Sequence, residues 1–259
     1  MLRSRLALGA LAALFGATAL VACGSTLGGG GYASSGPQTV ATPAVGRPMT
    51  ATAGASPAAA PIADQVAIPT AAPSERPGLG TAWGEAVYAP ITARPFARAS
   101  AAPWAVAVLR YNDEEGVAAQ ARYYGGALEP MEIYAGDGSI GISLVDESGG
   151  LLPGFLAGGQ PLIVGRDGAR YRIVVRNGTS ARFEIVASVD GLDVLDGKAA
   201  DPARRGYILD PYGQLVIDGF RQTDQQVAAF RFGAVADSYA ARTDGGGNVG
   251  VVGVAIFAE

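Results

Sequence analysis

Histidine is absent from the 259-residue chain, and cysteine and lysine occur once each, as Cys23 and Lys198. Those facts remove most familiar chemistry. Without histidine there is no general base titrating near neutrality, no Ser-His-Asp relay and no imidazole ligand for a metal. One thiol closes no intramolecular disulfide and builds no cysteine cage for zinc. A Ser-Lys pair would have to use Lys198, and no S-x-x-K spacing surrounds it. What is left is carboxylate and guanidinium chemistry. Asp190, Asp193 and Asp196 stand three residues apart in DGLDVLDG. They are the one metal candidate, although a calcium loop takes its oxygens from alternate residues and closes with a bidentate acid. The competing reading is a long loop between strands whose aspartates cap turns. Arg204, Arg205 and Arg221 flank Tyr207, Tyr212 and Phe220. On a surface that set would hold a glycan or a partner protein; otherwise it is arginine stems lying over rings at strand ends. Glu184, between Phe183 and Ile185, alternates away from both and is expected to face solvent. No residue is assigned a catalytic role, and neither an enzyme nor a cofactor is expected.

The single thiol has a different use. Arg3 and Arg5 precede an apolar run from Leu6 to Val21, and the run closes on Leu20-Val21-Ala22-Cys23. Sixteen helical residues reach roughly 24 Å, short of a ~30 Å hydrocarbon core, which suits a signal-peptide core better than a permanent span. The tetrapeptide resembles the lipobox of bacterial lipoproteins. That resemblance implies cleavage between Ala22 and Cys23, acylation of Cys23 and anchoring in the lipid bilayer, where two or three chains hold stably. Gly24 follows in place of the aspartate that favours inner-membrane retention in enteric bacteria, so the implied address is the outer membrane, facing the periplasm.

The elements that would carry a binding surface begin well downstream. Residues 1–22 read as signal peptide and residues 23–82 as the lipidated cysteine and a disordered linker rich in Ala, Pro and Gly. That linker is too poor in bulky apolar residues to offset its ordering entropy. Residues 83–103 read as a transition segment whose Trp83, Tyr88 and Phe96 strap it to the domain. Residues 104–259 read as an antiparallel β-sandwich, either jelly-roll or immunoglobulin-like. Its strands are WAVAVLRY (104–111), MEIYAG (131–136), GISLVD (141–146), PLIVG (161–165), RYRIVVRN (170–177), RFEIVASV (182–189), QLVIDGF (214–220), VAAFRFG (227–233) and NVGVVGVAIF (248–257). Arg-Asp-Gly at 166–168 and Asn-Gly-Thr at 177–179 read as hairpin turns. In RYRIVVRN, Tyr171, Ile173 and Val175 share a core face, while Arg170, Arg172, Val174 and Arg176 share a wet one. One short helix is expected, at 234–241. GGGN at 245–248 reads as a turn, since no helix follows to make it a phosphate cradle.

A formal net charge of −4 speaks against nucleic acid, which requires a basic stripe to displace counterions. SVDGLDVLDGK (188–198), GYILDPYG (206–213), IDGFRQ (217–222), VAAFRFGAVADSYAART (227–243) and NVGVVGVAIFAE (248–259) together resemble a recurrent domain of uncharacterised proteobacterial proteins, a group with no activity to transfer. The expected function is a non-enzymatic binding or assembly module docking on an envelope protein. The alternative is a peptidoglycan- or carbohydrate-binding protein, with or without hydrolysis. An apolar patch would favour the first; a groove of stacked aromatics and paired acids would favour the second.

Overall fold

A computed structural model describes residues 36–43, 77–242 and 248–259. Cys23, the signal sequence and most of the expected linker lie outside the described residues. The strands are β1 (Gln38–Pro43), β2 (Leu79–Tyr88), β3 (Ile91–Phe96), β4 (Ala105–Asn112), β5 (Glu129–Pro130), β6 (Glu132–Ala135), β7 (Ile140–Asp146), β8 (Pro153–Ala157) and β9 (Gln160–Val164). They continue with β10 (Arg170–Asn177), β11 (Phe183–Val189), β12 (Leu192–Asp193), β13 (Tyr207–Leu209), β14 (Gln214–Ile217), β15 (Gly219–Arg221), β16 (Gln226–Ala234) and β17 (Val251–Ala258). A ten-stranded sheet runs β3-β1-β13-β11-β17-β4-β9-β8-β5, with β12 beside β11. A seven-stranded sheet runs β15-β16-β10-β7-β6, with β14 beside β10 and β2 beside β16. Pairing is antiparallel except for β1 with β3 and β4 with β9. The molecule is an all-β sandwich.

Alternation builds the core. Tyr171, Ile173 and Val175 of β10, Ile140, Ile142 and Leu144 of β7, and Ile185, Ala187 and Val189 of β11 point between the sheets with Leu109, Val254 and Ile256, all buried. Each such aliphatic side chain contributes about 1.5–3 kcal/mol on leaving water. The expected wet face of β10 is only half wet: Val174 packs with Val145 and Val216 under Leu151, and Arg172 is buried.

Several expectations require correction. Neither expected hairpin exists. β9 and β11 belong to the ten-stranded sheet and β10 to the seven-stranded one, so both turns carry the chain from one layer to the other. At the second turn Asn177 is buried; its amide donates to the carbonyls of Ala181 (2.7 Å) and Asp210 (3.0 Å), and its oxygen accepts from the Thr179 amide (2.9 Å). Its role is to satisfy an arch, which a local turn rule does not distinguish from a hairpin. The strand read at 214–220 is broken at Asp218: β14 pairs with β10 and β15 with β16.

A helix was also missed. α1 (Glu114–Tyr124) starts on Asp113, whose carboxylate accepts from the Gly116 amide at 2.7 Å. It ends on Gly125 at φ +69°, and it buries little more than Val117 and Gln120. Its signals are caps, not an apolar stripe. The expected helix at 234–241 is a 3₁₀ turn (Val235–Asp237) followed by one α turn, α2 (Tyr239–Arg242). Finally, the expected linker and transition segment contain strands. Gln38–Pro43 lies inside the larger sheet, β2 begins at Leu79, and β3 occupies Ile91–Phe96. Partners distant in sequence order these segments, and composition does not report such partners. No helix among the described residues is long and apolar enough to cross a membrane.

Candidate functional site

The three aspartates of DGLDVLD are not brought together. Asp190, at φ +54°, turns inward at the end of β11 and is buried. Its Oδ1 accepts from the Tyr111 hydroxyl (2.6 Å) and the Gly250 amide (2.9 Å), and its Oδ2 from the Thr81 amide (2.6 Å). Thr81 Oγ1 lies 2.7 Å from the Tyr111 hydroxyl and 2.6 Å from that of Tyr171. Because a carboxylate only accepts, the protons of this chain have one order. Tyr171 donates to Thr81, Thr81 to Tyr111, and Tyr111 to Asp190. Burial raises both tyrosines well above their ordinary range and raises the Asp190 carboxyl, against the pull of its hydrogen bonds. No substrate reaches this network, since all four residues are buried. It fastens β2, β4, β10 and the segment before β17 to one anion.

Asp193 closes a turn instead, its Oδ1 accepting from the amides of Leu195 (2.7 Å) and Asp196 (3.2 Å). Asp196 accepts from the Lys198 amide and pairs with Arg204. Among the described residues no three acids, cysteines or histidines are grouped to hold a metal ion. Burial pushes Asp193 up to about 6 from 3.8, with Asp196 adding to the rise. The native state therefore keeps a proton that the unfolded chain has lost between about pH 4 and 6, and stability falls as pH rises through that window. Asp193→Asn keeps a carbonyl oxygen for both amides. It is expected to match the parent at pH 4 and to be about 2–3 kcal/mol more stable at pH 7.5. Urea midpoints across that range measure it.

The arginine and aromatic set is likewise dispersed. Tyr207 and Phe220 are core residues, Phe220 meeting Phe230 edge-on at 5.1 Å. Arg221 donates to the Ala89 carbonyl, to Gln38 Oε1 (3.3 Å) and to the Tyr207 hydroxyl (3.1 Å). Arg205 and Tyr212 are exposed, and Tyr212 sits at φ +51°. The six residues form no common surface, because Tyr207 and Phe220 point into the core from β13 and β15 while Arg204, Arg205 and Tyr212 lie outside the strands. Glu184 is also inside. Its Oε2 accepts from Arg98 Nε (2.6 Å) and its Oε1 from the Gly206 amide (2.6 Å), while the Arg98 guanidinium lies 3.6 Å over the Phe257 ring. Residues remote in sequence cover that part of the sheet's outer face.

An open, largely apolar groove of ≈450 Å³ lies at the edge of the sandwich. Val106 and Val108 of β4 line one part of it, Met131, Ile133 and Tyr134 of the β6 region another, and Leu156 of β8 closes it. Val106, Tyr134 and Leu156 are 58–64% exposed, a high value for such side chains. β6 is the last strand of its sheet, and β4 pairs with β9 only from Arg110 to Asn112. Glu132 is the acid at the groove; it accepts from Arg176 Nε (2.9 Å) and from the Tyr134 hydroxyl (2.8 Å). The walls offer apolar contact and little polar chemistry. Sequence reasoning missed these residues, although WAVAVLRY is apolar on both faces of a strand, a pattern that calls for a cover on each side. Comparison with protein-family models, curated proteins and solved structures finds no match to this chain.

Proposed function

We propose that the protein is an envelope lipoprotein, anchored through acylated Cys23 at the periplasmic face of the outer membrane, whose β-sandwich is a non-enzymatic module docking on an envelope protein. The observation that carries the docking reading is the apolar groove between β4 and β6. Its lining of Val106, Val108, Ile133 and Leu156 suits aliphatic side chains of a partner. A sugar ring calls for stacked aromatics and paired acids, whereas here Tyr134 is the one aromatic among the lining residues and Glu132 is already held by an arginine.

The test is photo-crosslinking in cells from position 108 of the anchored chain, with Cys23→Ser as the unanchored control. A discrete protein adduct is expected, lost in the control. Adding Leu156→Glu to the crosslinking chain should reduce the adduct at least about tenfold, the effect of ~1.4 kcal/mol at a buried contact. Glycan adducts alone would transfer the reading to the carbohydrate-binding alternative, and the absence of any adduct would remove the docking reading.

A further inference from the structure

β1 is held in the ten-stranded sheet from both sides, yet it is joined to the rest of the fold at a distance. Its six residues lie parallel to β3 in unbroken register from Gln38–Ile91 to Pro43–Phe96. On the other side Val40 pairs with Tyr207, and the Ala41 amide donates to the Gly206 carbonyl at 2.8 Å. Val40 and Ala41 are buried, Val40 in the main core and Ala41 against Phe96 and Ile208. The Gln38 amide donates to the Pro90 carbonyl at 2.6 Å, and its side-chain oxygen accepts from Arg221. Gly36 and Pro37, just ahead of it, line a groove of ≈310 Å³ together with Ile208, Asp210 and Leu215.

The next described residue after Pro43 is Pro77, 33 intervening residues later. Those residues reach at most ~120 Å when extended, so the sequence does not force β1 into the slot of its own chain. β13 is also paired with β11, and β3, whose one strand partner among the described residues is β1, is held besides by its Ile91 amide on the Asp224 carbonyl (2.9 Å) and by Arg94 on Asp210 (3.7 Å). Withdrawing β1 therefore leaves a two-sided slot with pockets for a Val and an Ala side chain, and with backbone groups ready on both rims.

We propose that β1 is an exchangeable donor strand: the slot between β3 and β13 accepts the Gln38–Pro43 segment of a second copy of this chain in place of its own. The contacts are identical in the two arrangements. What separates them is concentration, since a tethered strand competes at roughly millimolar effective concentration. On the reading given under Proposed function, copies anchored at one membrane approach that density and become linked through their N-terminal segments. The exchange itself needs no membrane.

The experiment uses the full chain with Cys23→Ser, in solution. The further pair Val40→Asp and Ala41→Asp expels β1 and creates an acceptor. A fluorescent peptide with the sequence of residues 36–43, GPQTVATP, is expected to bind this acceptor saturably. It should bind the parent chain at least about tenfold more weakly, and fail to bind when the peptide carries the Val40→Asp change. Light scattering should show mixed dimers of acceptor and parent at high concentration. A folded acceptor that does not bind the peptide overturns the proposal. If the acceptor does not fold, hydrogen exchange in the parent decides. Ala41 amide exchange through an opening cheaper than that of β11 supports a separable strand, and exchange only on global unfolding overturns it. None of these outcomes depends on acylation, so a failure here is distinct from a failure of the lipid anchor.

Discussion

Asp190→Ala is expected to destabilise the sandwich by about 3–5 kcal/mol, the cost of leaving several buried donors without an acceptor. The Thr81 amide, the Gly250 amide and the Tyr111 hydroxyl would each lose the carboxylate oxygen that accepts from them, and all three sit where water does not reach. Alanine would also have to hold φ +54°, a conformation that asparagine tolerates better. Asp190→Asn separates the two contributions. It retains the backbone and one oxygen for Tyr111 and Gly250, but turns an amide donor toward the Thr81 N–H. A loss of about 1–3 kcal/mol is expected. Burial raises the Asp190 carboxyl, so its contribution to stability weakens as pH rises through its native titration, and the asparagine variant should lack that component. Urea denaturation of the Cys23→Ser chain at two pH values measures all three. If the alanine variant stayed within 1 kcal/mol of the parent, the network would not be what fastens β2 to the other strands.

Of the strands that carry this network, β4, β10 and β17 were readable in the sequence; β2, and with it the network, was not. Tyr111 and Tyr171 lie at core positions of strands whose apolar alternation is plain, and Asp190 and Gly191 mark a turn in any reading. Their meeting depends on Thr81, which lies in a segment whose composition says linker. A strand there becomes stable only because β16 pairs along its length, from Leu79 with Ala234 to Tyr88 with Gln226. β1 carries the same lesson, since TVAT has nothing to mark it apart from the alanine- and proline-rich residues around it. Period-2 patterning reports which side of a strand is buried by its own sheet partner layer, and it is silent on cover supplied from elsewhere. That is why Val174 and Glu184, read as solvent-facing, are interior, and why Val106 and Val108, apolar on an outer face, lie in an open groove.

Glu184 provides the second large effect. Its carboxylate is 4% exposed and holds Arg98, which is 19% exposed and lies flat over Phe257. Glu184→Leu keeps the volume and removes the charge, leaving a largely enclosed guanidinium without its counter-charge and the Gly206 amide without an acceptor. The expected loss is about 3 kcal/mol, in the range for breaking one side of a buried pair. Removing both charges is cheaper than removing one. Arg98→Met preserves an unbranched apolar stem over the Phe257 ring while giving up the donations to the carbonyls of Pro202 and Arg204. The double variant should therefore be more stable than Glu184→Leu alone, with a coupling of at least about 1.5 kcal/mol in a double-mutant cycle. Gly206 sets a further constraint. A side chain there would collide with the Ile185 carbonyl, so the segment cannot shift to give Arg98 a new acceptor by substitution at that position. Coupling near zero would mean that packing of Arg98 on Phe257, and not its bond to Glu184, holds residues 98–100 against the outer face of the sheet. In that case Phe257→Ala, and not Glu184→Leu, would be the change that frees the Ala99 amide from the Ala258 carbonyl.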